Sequence, residues 1–250
     1  IHGKYGTYLQ GNFLIDFLRK IFIKQQSKIW EKANKVIVIS ESIRDWLEKL
    51  NSSIKPTVIP YGVEIQEVLQ KNKLANPTLG YLGKLNKNKG IEDLIDVYTK
   101  FQEKENLSNF ELTLLIGGTG SENYIKSLKN KIKDNNVKFL GYVEDRYSFF
   151  ESIEIFVFPS YSEGLGLVLL EAMAHGVICI TRDVTPMNSI VDNEENGFLF
   201  KDNKELLEKI EMVLNLNSTE KNKLVESAIK KIEKSYSIMQ MYLSTEKAYN

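Results

Sequence analysis

The sequence predicts an α/β fold whose parallel sheet is covered on both faces. Three observations carry this. From about residue 78 onward short apolar runs alternate with helical stretches, glycine clusters follow the ends of those runs, and the first 60 residues hold two further strand–helix steps. Short strands separated by helices of about 10–15 residues are the mark of βαβ units. In such sheets ligands bind outside the carboxyl ends of the strands.

The first 60 residues read as a long helix from Asn12 to Ala33, a strand Lys35–Ile39, a helix from Glu41 to Leu50 capped by Ser40, and a strand Pro56–Ile59. A Rossmann-like domain needs roughly 100 residues or more. Residues 1–65 are therefore expected to be the C-terminal part of a truncated domain. The opening Ile1-His2-Gly3 likewise reads as an internal position of a longer protein. Residues 66–235 read as a complete second Rossmann-like domain, entered through the polar link Gly62–Ala75. The tail, 236–250, reads as a helix whose Tyr236, Met239, Met241 and Tyr242 dock back on the first domain.

Within the second domain the expected strands are Leu79–Leu85, Phe110–Ile116, Val137–Leu140, Ile155–Pro159, Val177–Thr181 and Gly197–Phe200. Helical spacing marks Ile91–Lys104, Glu122–Asp134, Arg146–Ser152 and Leu165–His175 between them. Gly83, Gly117 to Gly120, Gly141, Gly164 and Gly166 all fall at the ligand edge of such a sheet.

Composition narrows the partners. Charge is balanced at 33 basic against 33 acidic residues, which gives no reason to expect nucleic acid. A single cysteine, Cys179, excludes disulfide frameworks and points to a reducing, cytoplasmic compartment. No apolar run approaches the ~18 residues that span a bilayer.

Four pieces carry chemistry. Lys84 and Lys89, in the loop Gly83-Lys84-Leu85-Asn86-Lys87-Asn88-Lys89-Gly90, can neutralise a diphosphate or simply be solvated. Gly117-Gly118-Thr119-Gly120 links a strand to a helix, so its backbone can approach a ligand or form a plain turn. It departs from a dinucleotide fingerprint, because the third glycine would fall at Asn123 and no acid ends the next strand. Leu140-Gly141-Tyr142-Val143-Glu144-Asp145 offers backbone groups to a nucleobase, or is an ordinary turn with Asp145 near the helix cap. Lastly, Glu163 lies in a loop and Glu171 in the following helix, about 7 Å of axial rise beyond Gly166. Glu171 on an apolar helix is costly to leave unpaired, so it meets either a ligand or a cation.

In order and spacing these pieces resemble the retaining glycosyltransferases of family 4, the glycosyl transferases group 1. The resemblance runs through Val38-Ile39-Ser40-Glu41, Ile59-Pro60-Tyr61-Gly62-Val63-Glu64, Gly83-Lys84-Leu85 with Lys89-Gly90, Gly117 to Gly120, Phe139 to Val143, Phe158-Pro159-Ser160 and the E-x7-E pair Glu163 and Glu171. It implies a GT-B fold of two facing Rossmann-like domains, with most of the N-terminal one absent here. It also implies an enzyme that moves a sugar from a UDP- or GDP-linked donor to an acceptor hydroxyl, in polysaccharide or glycolipid synthesis, with anomeric configuration retained. Neither a metal nor another cofactor is implied, since no D-x-D signature is present.

By the same resemblance Glu163 contacts donor-sugar hydroxyls and His2 is presented to the reacting sugar. Glu171 takes the ribose, Lys84 and Lys89 the diphosphate, and the backbone at Val143 the base. Gly83, Gly118, Gly164, Leu165, Gly166 and Leu167 complete the donor site. Lys84 replaces a commoner arginine, while Tyr61 and Glu64 stand where Asn and Asp are usual. The acceptor is expected to be a carbohydrate or lipid-linked. The first helix, with Phe13, Phe17, Ile21 and Phe22 beside Arg19, Lys20, Lys24, Lys28 and Lys32, can rest on an anionic inner membrane face or pack on its own domain. Two alternatives stay open: a non-catalytic nucleotide-sugar-binding module, and a phosphorolytic enzyme of the same fold.

Overall fold

The computed structural model describes residues 13–65, 76–104, 111–132 and 134–250, and the side chains of its first helix from residue 22 onward. After α1 (Phe13–Glu31), two short parallel strands, β1 (Ile37–Val38) and β2 (Thr57–Val58), flank α2 (Glu41–Leu50). The second unit then alternates: β3 (Thr78–Leu82), α3 (Ile91–Gln102), β4 (Thr113–Gly117), α4 (Glu122–Asn130), β5 (Val137–Gly141), α5 (Arg146–Glu151), β6 (Ile155–Phe158), α6 (Leu167–Ala174), β7 (Ile178–Arg182), α7 (Met187–Ile190) and β8 (Phe198–Phe200). Three helices follow, α8 (Asn203–Asn215), α9 (Ser218–Ser235) and α10 (Ile238–Tyr249).

Six strands form one wholly parallel sheet in the order β5-β4-β3-β6-β7-β8. The chain winds outward from β3 to β5, then returns to the middle at β6. The direction of winding therefore reverses between β3 and β6, and that gap is where doubly wound sheets hold ligands.

Alternation along each strand explains both faces. Ile155 and Val157 of β6 point into one core with Leu79, Tyr81, Ile116 and Tyr98. Phe156 and Phe158, one residue out of phase, point into the other with Phe150, Leu169 and Leu170. Every residue of β6 and β7 is buried, the pattern of strands covered on both sides. Each fully buried Phe or Leu contributes about 1.5–3 kcal/mol relative to exposure. Val38, Ile43, Leu47 and Ile54 of the first unit join the Phe156 core, so apolar packing is continuous from one unit into the other.

Some local expectations are corrected. Ser40 does stand at the N-cap of α2, but its hydroxyl makes no capping bond; it is drawn away to the second unit, as described below. The helix expected from Leu165 starts at Leu167, because Gly166 takes the left-handed conformation (φ 87°) that turns the loop into α6. The strand expected to run to Leu85 stops at Leu82, where the chain leaves the sheet for the ligand-edge loop.

At the C-terminus, Met241 Sδ accepts from the Gly62 N–H at 3.3 Å, Val63 N–H donates to Tyr236 O at 2.8 Å, and Lys35 Nζ donates to Ala248 O. Met239 and Tyr242, expected at this contact, are instead 63% and 60% exposed. Met241 and Ala248 lie seven residues apart on one helical face, and Met239 and Tyr242 fall on another.

Candidate functional site at the carboxyl edge of the sheet

The loops after β3 and β6 meet at the reversal point. Tyr161 N–H donates to Asn88 O at 3.0 Å, which stitches the β6 loop to the short 3-10 turn Lys87–Lys89. Their side chains meet as well: Lys89 Nζ lies 2.5 Å from Glu163 Oε1, with the two side chains 23% and 13% exposed. Beneath them Tyr81 is fully buried and its hydroxyl donates to Lys84 O at 3.0 Å, which fixes the loop that bears Lys84. Burial, with the nearby Glu163 carboxylate second, pushes the Tyr81 phenol far above its usual range, so it stays a neutral donor. Lys84 itself is exposed, and no carboxylate among the described residues pairs with it.

A buried arginine clamps the same loops from below. Arg182, at the carboxyl end of β7, is 6% exposed and donates from Nε to Pro159 O at 3.0 Å and from a terminal nitrogen to Lys201 O at 3.1 Å. It also pairs with Asp93 in the first turn of α3. The guanidinium lies 4.1 Å from the centre of the Tyr161 ring, whose hydroxyl donates to Asp93 at 2.5 Å.

Glu171 sits one turn into α6 and is held by Arg146 of α5, whose Nη1 lies 2.7 Å from Oε1 and 2.8 Å from Oε2. Asp145 caps α5 by accepting from Ser148 N–H at 3.0 Å, as expected of that turn. Leu169 and Leu170 donate to Gly166 O, so helical bonding in α6 begins there. The amides of Leu167 and Val168 are left at the positive end of the helix, facing the loop with Glu163.

The remaining predicted residues divide by what occupies them. Gly118 (φ 136°) donates to Gly141 O at 2.6 Å, and a Cβ there would lie 1.7 Å from Gly83 O. Its missing side chain thus serves the crossing of three loops rather than ligand approach alone. Val143 turns its side chain inward, where a Cβ on Gly117 would meet it at 2.7 Å, so only its backbone can face a base. Leu165 is 4% exposed, and any ligand contact falls to its backbone. Leu165 also lines a cavity of about 130 Å³ with Ile39, Ser40, Glu41 and Tyr236, at the joint of the two units. His2 lies outside the described residues. Among the described residues no three His, Cys, Asp or Glu gather as a metal site.

Comparison with known proteins gives the family. Residues 64–231 match the profile of the glycosyl transferases group 1. The chain belongs to that family. This group 1 glycosyl transferase is 32% identical over 238 residues to the capsular polysaccharide biosynthesis glycosyltransferase CapM of Staphylococcus aureus, covering 87% of the chain and 62% of CapM. It is 29% identical over 173 residues to a phosphatidyl-myo-inositol mannosyltransferase of Mycobacterium leprae, covering 65% of the chain and 44% of that protein. The chain thus spans only part of each relative's length. Among solved structures, S. aureus TarM in complex with UDP superposes with TM-score 0.78 at 23% identity, over 93% of this chain and 46% of TarM. Anabaena HepE in complex with UDP-glucose gives 0.78 at 19%, over 91% of this chain and 67% of HepE. Those likenesses establish the GT-B type of α/β fold.

For this group 1 glycosyl transferase, sequence reasoning put Lys89 and Glu163 at one sheet edge, where the structure pairs them, but did not single out Arg146, which pairs with Glu171, or Arg182, which pairs with Asp93. Arg146 carried no signal beyond being a cation at a helix start. Arg182 did carry one, a lone charge closing an otherwise apolar strand. Among the described residues of this family member, no helix is long and apolar enough to cross a membrane.

Proposed function

We propose that this chain is the donor-binding part of a retaining glycosyltransferase that moves a sugar from a UDP- or GDP-linked donor to an acceptor hydroxyl. Residues 66–235 are the donor domain, residues 1–65 the end of an acceptor-side domain, and 236–250 the helix returning to it. The observation that carries this reading is the Lys89–Glu163 contact at the reversal of strand order, with the α6 N-terminus beside it and Glu171 farther along that helix.

A nucleotide sugar fits those parts in sequence. Lys84, Lys89 and the amides from Gly164 to Leu167 take the diphosphate, with Gly83 and Gly118 shaping the floor. Glu163 accepts from sugar hydroxyls, Glu171 from the ribose, and the Val143 backbone meets the base. A role for His2 at the reacting sugar rests on the family resemblance alone. The acceptor oxygen bonds to the anomeric carbon as its bond to the diphosphate oxygen breaks, and the acceptor's proton passes to that departing oxygen on the same face. The ammonium groups and the helix dipole stabilise the leaving diphosphate without a metal. TarM and HepE, which bind UDP or UDP-glucose, support the donor class.

The relatives' names support a polysaccharide or lipid-linked acceptor. On α1, Phe22 and Ile29 are 57% and 61% exposed beside the exposed Lys24, Lys28 and Lys32, which supports peripheral contact with an anionic membrane at the cytoplasmic side. Flotation of the protein with anionic liposomes is the expected outcome, and sedimentation away from them would remove that part.

Thermal-shift titration with UDP-, GDP- and ADP-sugars tests the donor site, because a ligand of the native state raises its melting temperature. One of the UDP or GDP series should do so, and no shift with any of the three would overturn the reading. An inverted anomeric product from the complete protein would overturn retention.

A further inference from the structure

Past the end of β3 the chain keeps a parallel ladder on one side only, with the loop after β4. Gly83 N–H donates to Gly117 O at 3.0 Å, Leu85 N–H donates to Thr119 O at 2.8 Å, and Leu85 pairs with Gly120. On the other side, pairing with β6 ends at Gly80 and Phe156. In extended backbone the N–H and C=O of one residue share a side, and successive residues alternate. With Gly83 and Leu85 turned to β4, the Lys84 carbonyl faces the opposite way, into the gap where strand order reverses. There the Tyr81 hydroxyl donates to it at 3.0 Å, in the place a neighbouring strand's N–H would take.

The same alternation places the side chains. Tyr81 and Leu85 are buried in the core under one face of the sheet, while Leu82 joins the core of the other face, which the first unit shares. Lys84, two residues past Leu82, falls on that second face and is exposed there. Its ammonium is a point charge on a flexible four-carbon stem, so its reach is set by where the backbone is held. The Tyr81 ring is fully buried and cannot wander, which makes its hydroxyl a fixed anchor for that backbone. We infer that Tyr81 is a positioning residue for the donor diphosphate, its hydroxyl holding the Lys84 backbone so that the ammonium meets the phosphates. The inference rests on the donor site proposed above.

The test is a double-mutant cycle read by calorimetric titration with UDP and GDP: the wild-type chain, Tyr81→Phe, Lys84→Met and the double variant. For the nucleotide the wild type binds, Tyr81→Phe should weaken affinity about fivefold, the factor that about 1 kcal/mol represents. In the Lys84→Met background the same change should cost less than about twofold, because the ammonium it serves is gone. A purely structural role would weaken binding equally in both backgrounds, and that result would overturn the inference alone, as would unchanged affinity in Tyr81→Phe. Gly83→Ala carries the test if Tyr81→Phe does not fold: its methyl would lie 3.1 Å from the same hydroxyl and should bring the same Lys84-dependent loss. Failure of the wild type to bind either nucleoside diphosphate would overturn the donor site and the inference with it.

Discussion

The Ser40 hydroxyl donates to the Gly164 carbonyl oxygen across 2.8 Å, joining the first unit to the loop that carries Glu163. Ser40 is 5% exposed, and its oxygen also lies 3.1 Å from that of Ser42. A hydroxyl at a helix start would ordinarily bond to its own helix. Here it bonds 124 residues away instead, so the position of Glu163 depends on where the first unit sits.

Ser40→Ala tests that link. It leaves a part-buried carbonyl without its partner, which costs about 1–3 kcal/mol. A lower melting temperature together with weaker donor-sugar binding is expected. An unchanged affinity would show that the loop holds its place without Ser40.

Glu163→Gln keeps the shape of the side chain and removes its charge. Loss of one charge-stabilising contact made in a transition state typically costs on the order of 10²-fold in turnover. Turnover of the complete protein should fall by that order. Lys89→Met should raise the donor KM and lower turnover as well, since in the proposed mechanism its ammonium both holds the diphosphate and stabilises it as it leaves. Wild-type turnover in Glu163→Gln would remove the sugar contact.

Arg182 should matter for folding before it matters for chemistry. Arg182→Met leaves the Asp93 carboxylate with the Tyr161 hydroxyl but no cation, and removes the Arg182 donors from the Pro159 and Lys201 carbonyls; breaking such a pair from one side costs about 3–5 kcal/mol. Chemical denaturation reads this directly. Arg182→Lys should be milder, though it cannot reproduce the two backbone bonds and the stacking on Tyr161.

A pH effect is expected far from the site. Burial opposes the charge on Asp134, but hydrogen bonds from the Asn136 N–H, the Tyr98 hydroxyl and Gln102 outweigh it and hold the carboxyl below its usual range. A depressed carboxyl stabilises the fold fully above its unfolded value, about 3.9, and that contribution fades as pH falls through the lower folded value. The melting-temperature gap between wild type and Asp134→Asn should therefore be widest at neutral pH and shrink toward pH ~3. A constant gap would contradict the assignment.

The alternation of strands and helices was readable because it is local. A short unbroken apolar run, or apolar residues spaced near 3.6, declares each element within a few residues of itself, as at Ile155–Phe158 and Ile91–Gln102. Element ends were less legible. Leu165 looked helical by its apolar character, yet the conformation of Gly166 delayed the helix to Leu167. Met239 and Tyr242 looked like docking residues, and only the contacts of Met241 show which face of α10 is inward.

By itself the chain order of residues determined a parallel sheet with glycine-bearing loops at one edge and two glutamates eight residues apart there. Tertiary structure decided the pairings: Lys89 with Glu163 across 74 residues, Arg146 with Glu171 across 25, and Ser40 with Gly164 across 124. Those contacts follow from the reversal that seats β6 beside β3 and from packing of the first unit on the second. Periodicity speaks only for a residue's own neighbourhood, whereas a salt bridge between distant loops exists only once the strands have been ordered.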